Sequence, residues 1–410
     1  MPANNRVGIV LAGGASRRMQ AAGMTGMTGM TDMTDMTDQT TATSRRWVAL
    51  DFLRGVMLMM MMVDHAFFMG FTQWTVAKEW LYGFFGYVTA AEGFYFLSGL
   101  VCALVFYRGF LPGAVVPTAT LWRRVRTIWC WHLVTVVAAT LCVILYATDR
   151  EATLVANPYL SRFLEHPLGV LVLAPILLAR PPFLDILPLY VHYLAAAPLL
   201  LRWFATGRAW LVWLVTGLLW GVGQFGAWNA LFESLRKTWP DLPFDGGYFD
   251  PCSWLLPFVL GLTVGCHLQS RGLAAIRAYG AVLFPASVLA CVFFWAHRHG
   301  LIVGVPPFFQ PLIDIGRLGP IRVVNLLGAI TVLGFLIAWF PRVFVWGPIA
   351  FLGRHSLHVF VYQVVLLFAA IPVWVWTQDL PPGDPRGLAL LGVTLLSLWI
   401  PAWLHHRMGQ

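Results

Sequence analysis

Residues 47–70 read WVALDFLRGVMLMMMMVDHAFFMG, an apolar run that nevertheless contains Asp51, Arg54, Asp64 and His65. A bilayer core about 30 Å thick requires roughly 20 mainly apolar residues of helix, so this stretch predicts a membrane span. Ionisable groups inside a span are costly, and they usually face the interior of a bundle at a functional site. On a helix advancing about 100° per residue, Arg54 and His65 lie within about 20° of each other and about 16 Å apart in height. A single stripe would then carry an anion binder low on the helix and a titratable base near its other end. Asp64 points about 100° away from its neighbour His65, so adjacency does not make an Asp–His dyad. The plainer alternative is an i,i+3 pair between Asp51 and Arg54, with His65 marking the membrane interface.

The rest of the 410-residue chain repeats this apolar character. It is 59% hydrophobic and only 11% charged, with 20 Trp and 29 Phe and a mean hydropathy of +0.72. A soluble domain is nearer 45–50% apolar and about 25% charged, so a water-soluble enzyme is excluded. Of the basic residues only Lys78 and Lys237 are lysines. The net charge of +9 therefore comes from arginines spread between apolar runs, a pattern of loop anchors and buried anion contacts rather than of nucleic-acid binding.

The runs predict an all-α polytopic bundle of about ten spans: 47–70, 80–106, 125–148, 183–203, 209–228, 253–269, 279–296, 321–340, 348–376 and 387–405. The stretch 168–180, bounded by Pro167 and Pro181, is too short to cross and reads as interfacial or re-entrant. Residues 1–46 form a separate low-complexity tail, expected to be disordered. It opens with VGIVLAGGASRRM, which is similar to a nucleotidyltransferase phosphate loop but has no α/β domain behind it, and continues into an MTG/MTD repeat. The six cysteines have no pairing pattern and read as small buried hydrophobes. Arginines concentrate in alternate loops and acids in the others, which predicts both termini in the cytoplasm. The N-terminal stretch does not show the basic region, apolar run and cleavage site of a signal peptide, so the first span is expected to serve as its own insertion signal.

Beyond the first span, Glu92 stands among apolar residues in TAAEGFYFLSG, a natural partner for Arg54 or His65. Ser98 and Gly99 there suit close helix packing better than nucleophilic catalysis. WRRVR brings Arg123, Arg124 and Arg126 to the cytoplasmic mouth, as topology signals or as phosphate ligands. Asp185 and His192 interrupt FLDILPLYVHYL, and Arg354, His355 and His358 open FLGRHSLHVF. No H-E-x-x-H or other ligand spacing appears, so no metal site is expected.

Five blocks in order carry a family resemblance over nearly all of 47–405: LDFLRG with DH, AAEGFYFLSG, DILPLYVHYLAAAPLLL, FDPCSWLLPFVLG and FLGRHSLHVFVYQ. Together they resemble the OpgC family of membrane acyltransferases, glucan succinyltransferase relatives within the wider acyltransferase family 3 group. The resemblance implies that 47–410 form an inner-membrane acyltransferase domain. It implies acyl-CoA as co-substrate on the cytoplasmic side, no permanently bound cofactor, and an extracytoplasmic glucan or other carbohydrate hydroxyl as acceptor. The group's Arg-x10-His pattern falls on Arg54 and His65, its acidic residue before a Ser-Gly segment on Glu92, and its R-x-x-R element on Arg123 and Arg126.

Chemistry and resemblance give the same expected site. His65, with Glu92 and Asp64, would be catalytic, because acyl transfer to an alcohol needs a base of near-neutral pKa and support for the oxyanion. Arg54, Arg123 and Arg126 would hold the CoA phosphates, and Arg354, His355 and His192 would contact substrate, a succinyl tail wanting a second cation. Direct transfer and an acyl-histidine intermediate both fit. The reading from another class is a proton-coupled transporter or flippase with His65, Glu92 and Arg54 as relay, which broken helices favour and the lack of an internal repeat disfavours.

Overall fold

The structure, a computed structural model, describes residues 33–68, 85–302, 307–381 and 384–408. The phosphate-loop-like string and the start of the triplet repeat lie outside the described residues. Of what is described, helix dominates and there is no strand, only isolated bridges at Phe85–Val88 and Ala179–Asp245.

The helices are α1 (Met33–Phe68), α2 (Ala90–Phe106), α3 (Thr118–Tyr146), α4 (Arg150–Ala156), α5 (Ser161–Glu165), α6 (Pro167–Leu173), α7 (Ile186–Ala205), α8 (Ala209–Gln224), α9 (Ala227–Thr238), α10 (Leu255–Arg298), α11 (Pro320–Trp339), α12 (Gly347–Arg354), α13 (Ser356–Ala369), α14 (Ile371–Thr377), α15 (Pro385–Ser397) and α16 (Trp399–Met408). Among the described residues six helical stretches are long and apolar enough to cross a membrane, or up to eight if α8–α9, bent by 54°, and α12–α13, bent by 83°, each count as one broken span. The expected ten is therefore not reached. The missing two, 47–70 and 253–269, are helical over 47–68 and 255–269. The three charges Asp51, Arg54 and Asp64 keep α1 below the apolar threshold, and the first limb of α10 is cut short where Gly272 adopts φ 71°, ψ −172°, a combination open essentially only to glycine.

The site is positioned by the packing of α1 and α2. The buried ridge Leu53, Met57, Leu58, Met61 and Met62 anchors α1 in the core, where it packs on α12, α2 and α13, while α2 packs mainly on α10. Both contacts bring backbones together through a missing Cβ. A side chain on Gly99 would collide with the Phe258 carbonyl, and one on Gly353 with the Asp51 carbonyl, the small-residue packing that lipid-embedded helices favour. Lining the lipid side are exposed apolar residues such as Leu141, Leu145, Leu218 and Val282.

The loops expected on the outer face are knitted together. Arg180 N–H donates to the Asp245 carbonyl and Asp245 N–H to the Leu178 carbonyl, while the Arg180 side chain lies over Trp228. Burial raises the Asp245 carboxyl above its ordinary range. All six cysteines are free, but only Cys102 and Cys266 are buried and Cys130 is exposed, so the expectation of six buried thiols is corrected.

Candidate active site

Glu92 is fully buried and is held from both sides. Thr89 caps α2 with Glu92 three residues on, the spacing of a capping box. Here the Thr89 backbone N–H donates to Glu92 Oε2 at 2.9 Å, and the Thr89 hydroxyl donates to the same oxygen. The other oxygen, Oε1, accepts from Arg322 Nε at 2.8 Å and also from Arg322 Nη2. Arg322, on the first turn of α11, is itself buried. Glu92 therefore pairs with Arg322, which corrects its expected pairing with Arg54 or His65. A buried ion pair offsets its desolvation only when every lone pair and proton is satisfied, and here helix capping and ion pairing share one carboxylate.

One turn beyond Arg322, Asn325 Oδ1 accepts from the Tyr87 backbone N–H at 2.7 Å, and the Tyr87 hydroxyl lies 2.7 Å from His297 Nδ1. These bonds frame a polar cavity of about 460 Å³ lined by Tyr87, Thr89, Arg298, Asp314, Arg317 and Arg322 among others. Arg317 is fixed there by its backbone N–H to Asp314 Oδ1 at 2.6 Å and by Nη1 to the Gln224 carbonyl at 3.1 Å. Asp64 is on the side of α1 that is electrostatically coupled to Glu92.

His65 faces elsewhere, as the helical period predicts. Its ring meets Phe183 edge-on at 4.7 Å, and its buried Nδ1 has no hydrogen-bond partner. Arg54 keeps the same flank and interacts electrostatically with Tyr190 of α7 and with Arg124. The i,i+3 pair also forms, Arg54 Nη1 to Asp51 Oδ1 at 3.6 Å, and Arg354 Nε reaches Asp51 Oδ2 at 3.8 Å.

The expected phosphate ligands are only partly assembled. Arg123 is exposed and donates to Thr120 on its own helix at 3.4 Å, and Arg126 is exposed too. Arg124, between them, is the arginine within electrostatic reach of both Arg54 and His358. His192 Nδ1 lies 2.7 Å from the Pro188 carbonyl, a bond within α7. His355 Nδ1 approaches His405 Nδ1 of α16 at 2.7 Å, and His358 stacks on His405 with centroids 3.7 Å apart. Among the described residues no three His, Cys, Asp or Glu side chains are grouped to hold a metal ion.

The residues that sequence reasoning missed are Arg322, Asn325, Tyr87 and Thr89. Only Thr89 carried a local signal, its position three residues before a glutamate at a helix start.

No curated protein and no solved structure matches the chain. The family profile described as OpgC protein does, over residues 46–410, the same stretch that holds α1's charged span, the Glu92–Arg322 pair and the histidine cluster. The chain belongs to the OpgC family.

Proposed function

We propose that the chain is a membrane O-acyltransferase, moving an acyl group from cytoplasmic acyl-CoA to a hydroxyl of an extracytoplasmic carbohydrate. The observation that carries this reading is the buried Glu92–Arg322 pair, whose Arg322 lines a polar cavity. Acyl transfer builds negative charge on the carbonyl oxygen, and a fixed guanidinium in a water-poor site stabilises it without reorganising. His65, whose Nδ1 has no partner, is the proposed base that takes the acceptor proton as the oxygen attacks the thioester. The thiolate of CoA leaves and the proton passes to it, so the reaction balances without a further reagent. Family membership supports this chemistry and this acceptor class.

The test is purified protein in liposomes with labelled acyl-CoA and a glucan acceptor, scored for ester formation. Absence of ester across several donors and acceptors would overturn the reading. The proposed orientation, both termini in the cytoplasm of the inner membrane, predicts cytoplasmic signals from reporters fused after residues 108 and 208 and the opposite signal near 160 and 240.

A further inference from the structure

A second cavity, of about 980 Å³, runs between α1, α2, both limbs of α10 and α11. Its walls are mainly apolar, with Leu53 and Met57 of α1 and Leu97 and Leu100 of α2 among them. Two cations, Arg108 and Arg277, stand at the end nearest the foot of α2, and no acidic residue lines the cavity among the described residues. At its other end is Thr89, which also lines the polar cavity. The groove thus connects a cationic mouth to the hydroxyl that holds Glu92.

We infer that this groove carries the phosphopantetheine arm of the acyl-CoA donor, with its phosphates at Arg108 and Arg277 and its thioester delivered beside Thr89 and Arg322. The inference rests on the acyl-CoA donor proposed above. Three observations choose this occupant over a plain hydrocarbon tail. Charge is the first, since the cations sit at one end only, which suits an anionic head on a long arm. Polar acceptors inside the groove are the second. The Thr263 and Thr331 hydroxyls each donate to their own helix, to the carbonyls of Val259 and Leu327 at 2.8 Å, and so keep lone pairs for the arm's two amide N–H groups. His267, also on the wall, has a buried Nε2 with no partner. A lipid tail would use none of these and would leave the buried His267 nitrogen unpaired, which is costly.

Length is the third. From Thr89 to Arg108 the helix rises about 28 Å, whereas a pantetheine arm, equivalent to about five extended residues, spans roughly 17 Å. The remaining distance is covered by the arginine side chain and the CoA diphosphate below, which leaves the thioester level with Thr89 and the acyl group beyond it. The path lies on the Leu53–Met57 flank of α1, not on the flank of Arg54.

The experiment measures binding of a non-hydrolysable ether analogue of acyl-CoA by calorimetry, together with ester formation in liposomes. The double variant Arg108→Gln/Arg277→Gln should raise the donor KM and the analogue Kd by about tenfold or more while kcat stays near wild type. Arg108→Lys/Arg277→Lys should restore much of the loss, and Leu100→Trp, which fills the groove, should act like the Gln pair. If the Gln pair and Leu100→Trp bind the analogue like wild type, or if wild type does not bind it, the inference falls. It falls as well if a retained phospholipid is displaced by Leu100→Trp with analogue affinity unchanged. If the analogue binds wild type and fails with the variants but no ester forms anywhere, the groove assignment stands and the transfer reading fails.

Discussion

On one flank of α1, Arg54 and His65 face α7 and the turn before it. About 100° round the helix, Leu53, Met57 and Asp64 face the groove and Glu92. The first flank has loose electrostatics: its ion pairs span 3.6 and 3.8 Å, and the Arg354 partner is more than half exposed. The second has a closed pair with both carboxylate oxygens occupied. Exposed pairs contribute about 0–1 kcal/mol, whereas breaking a buried one costs several. The rigid ion pair therefore belongs to the groove flank, while the His65 flank keeps an unpaired ring nitrogen free to exchange protons.

The largest effect should come from Arg322→Met, which leaves Glu92 buried and unpaired. It should cost about 3–5 kcal/mol in detergent unfolding and bring ester formation to background. Adding Glu92→Leu should return most of the stability but none of the activity. Recovery of ester formation by that double variant would reduce the pair to scaffolding. Next, His65→Gln should slow acylation by about 10²–10⁴-fold with little change in donor binding. If Asp64→Asn shows that loss and His65→Gln does not, the proton-transfer role moves to the groove flank. A smaller effect is expected of Arg54→Gln, with the donor KM shifting by no more than about threefold. A larger shift than that of the Arg108/Arg277 pair would transfer the donor to the other flank.

The flank carrying Arg54 and His65 was legible because helical period needs only one segment of sequence. Span count was less so, since the bends after Gln224 and at His355 depend on tertiary packing more than on composition. Arg123, Arg124 and Arg126 were read as one cluster at the cytoplasmic mouth because the apolar run starts at Val125. The helix in fact starts at Thr118, so Arg124 points about 100° from Arg123 and about 160° from Arg126, and of the three it is Arg124 that is electrostatically coupled to Arg54. Glu92 was visible, but its partner lies 230 residues away. An arginine one turn inside a span looks like an interface anchor in sequence, and only packing tells the two apart.

The smallest effect lies far from both flanks. Asp384 caps α15 and accepts from Arg386, and that hydrogen bond lowers its carboxyl to about 2. The cap is thus fully present above the ordinary carboxylate pKa and is lost only as pH falls through about 2. Asp384→Ala should speed amide exchange at Arg386 and leave ester formation unchanged. A fall in activity would mean that the C-terminal helices couple to the site.

The double duty of Glu92 constrains how this protein can be engineered. The same carboxylate starts a helix through Thr89 and balances Arg322, so no single substitution there can tune the charge of the site without also unsettling where α2 begins. Directed evolution toward another acyl group should therefore gain more from the arginines and loops around the polar cavity than from Glu92. Libraries that randomise position 92 should be dominated by chains that never reach the membrane intact.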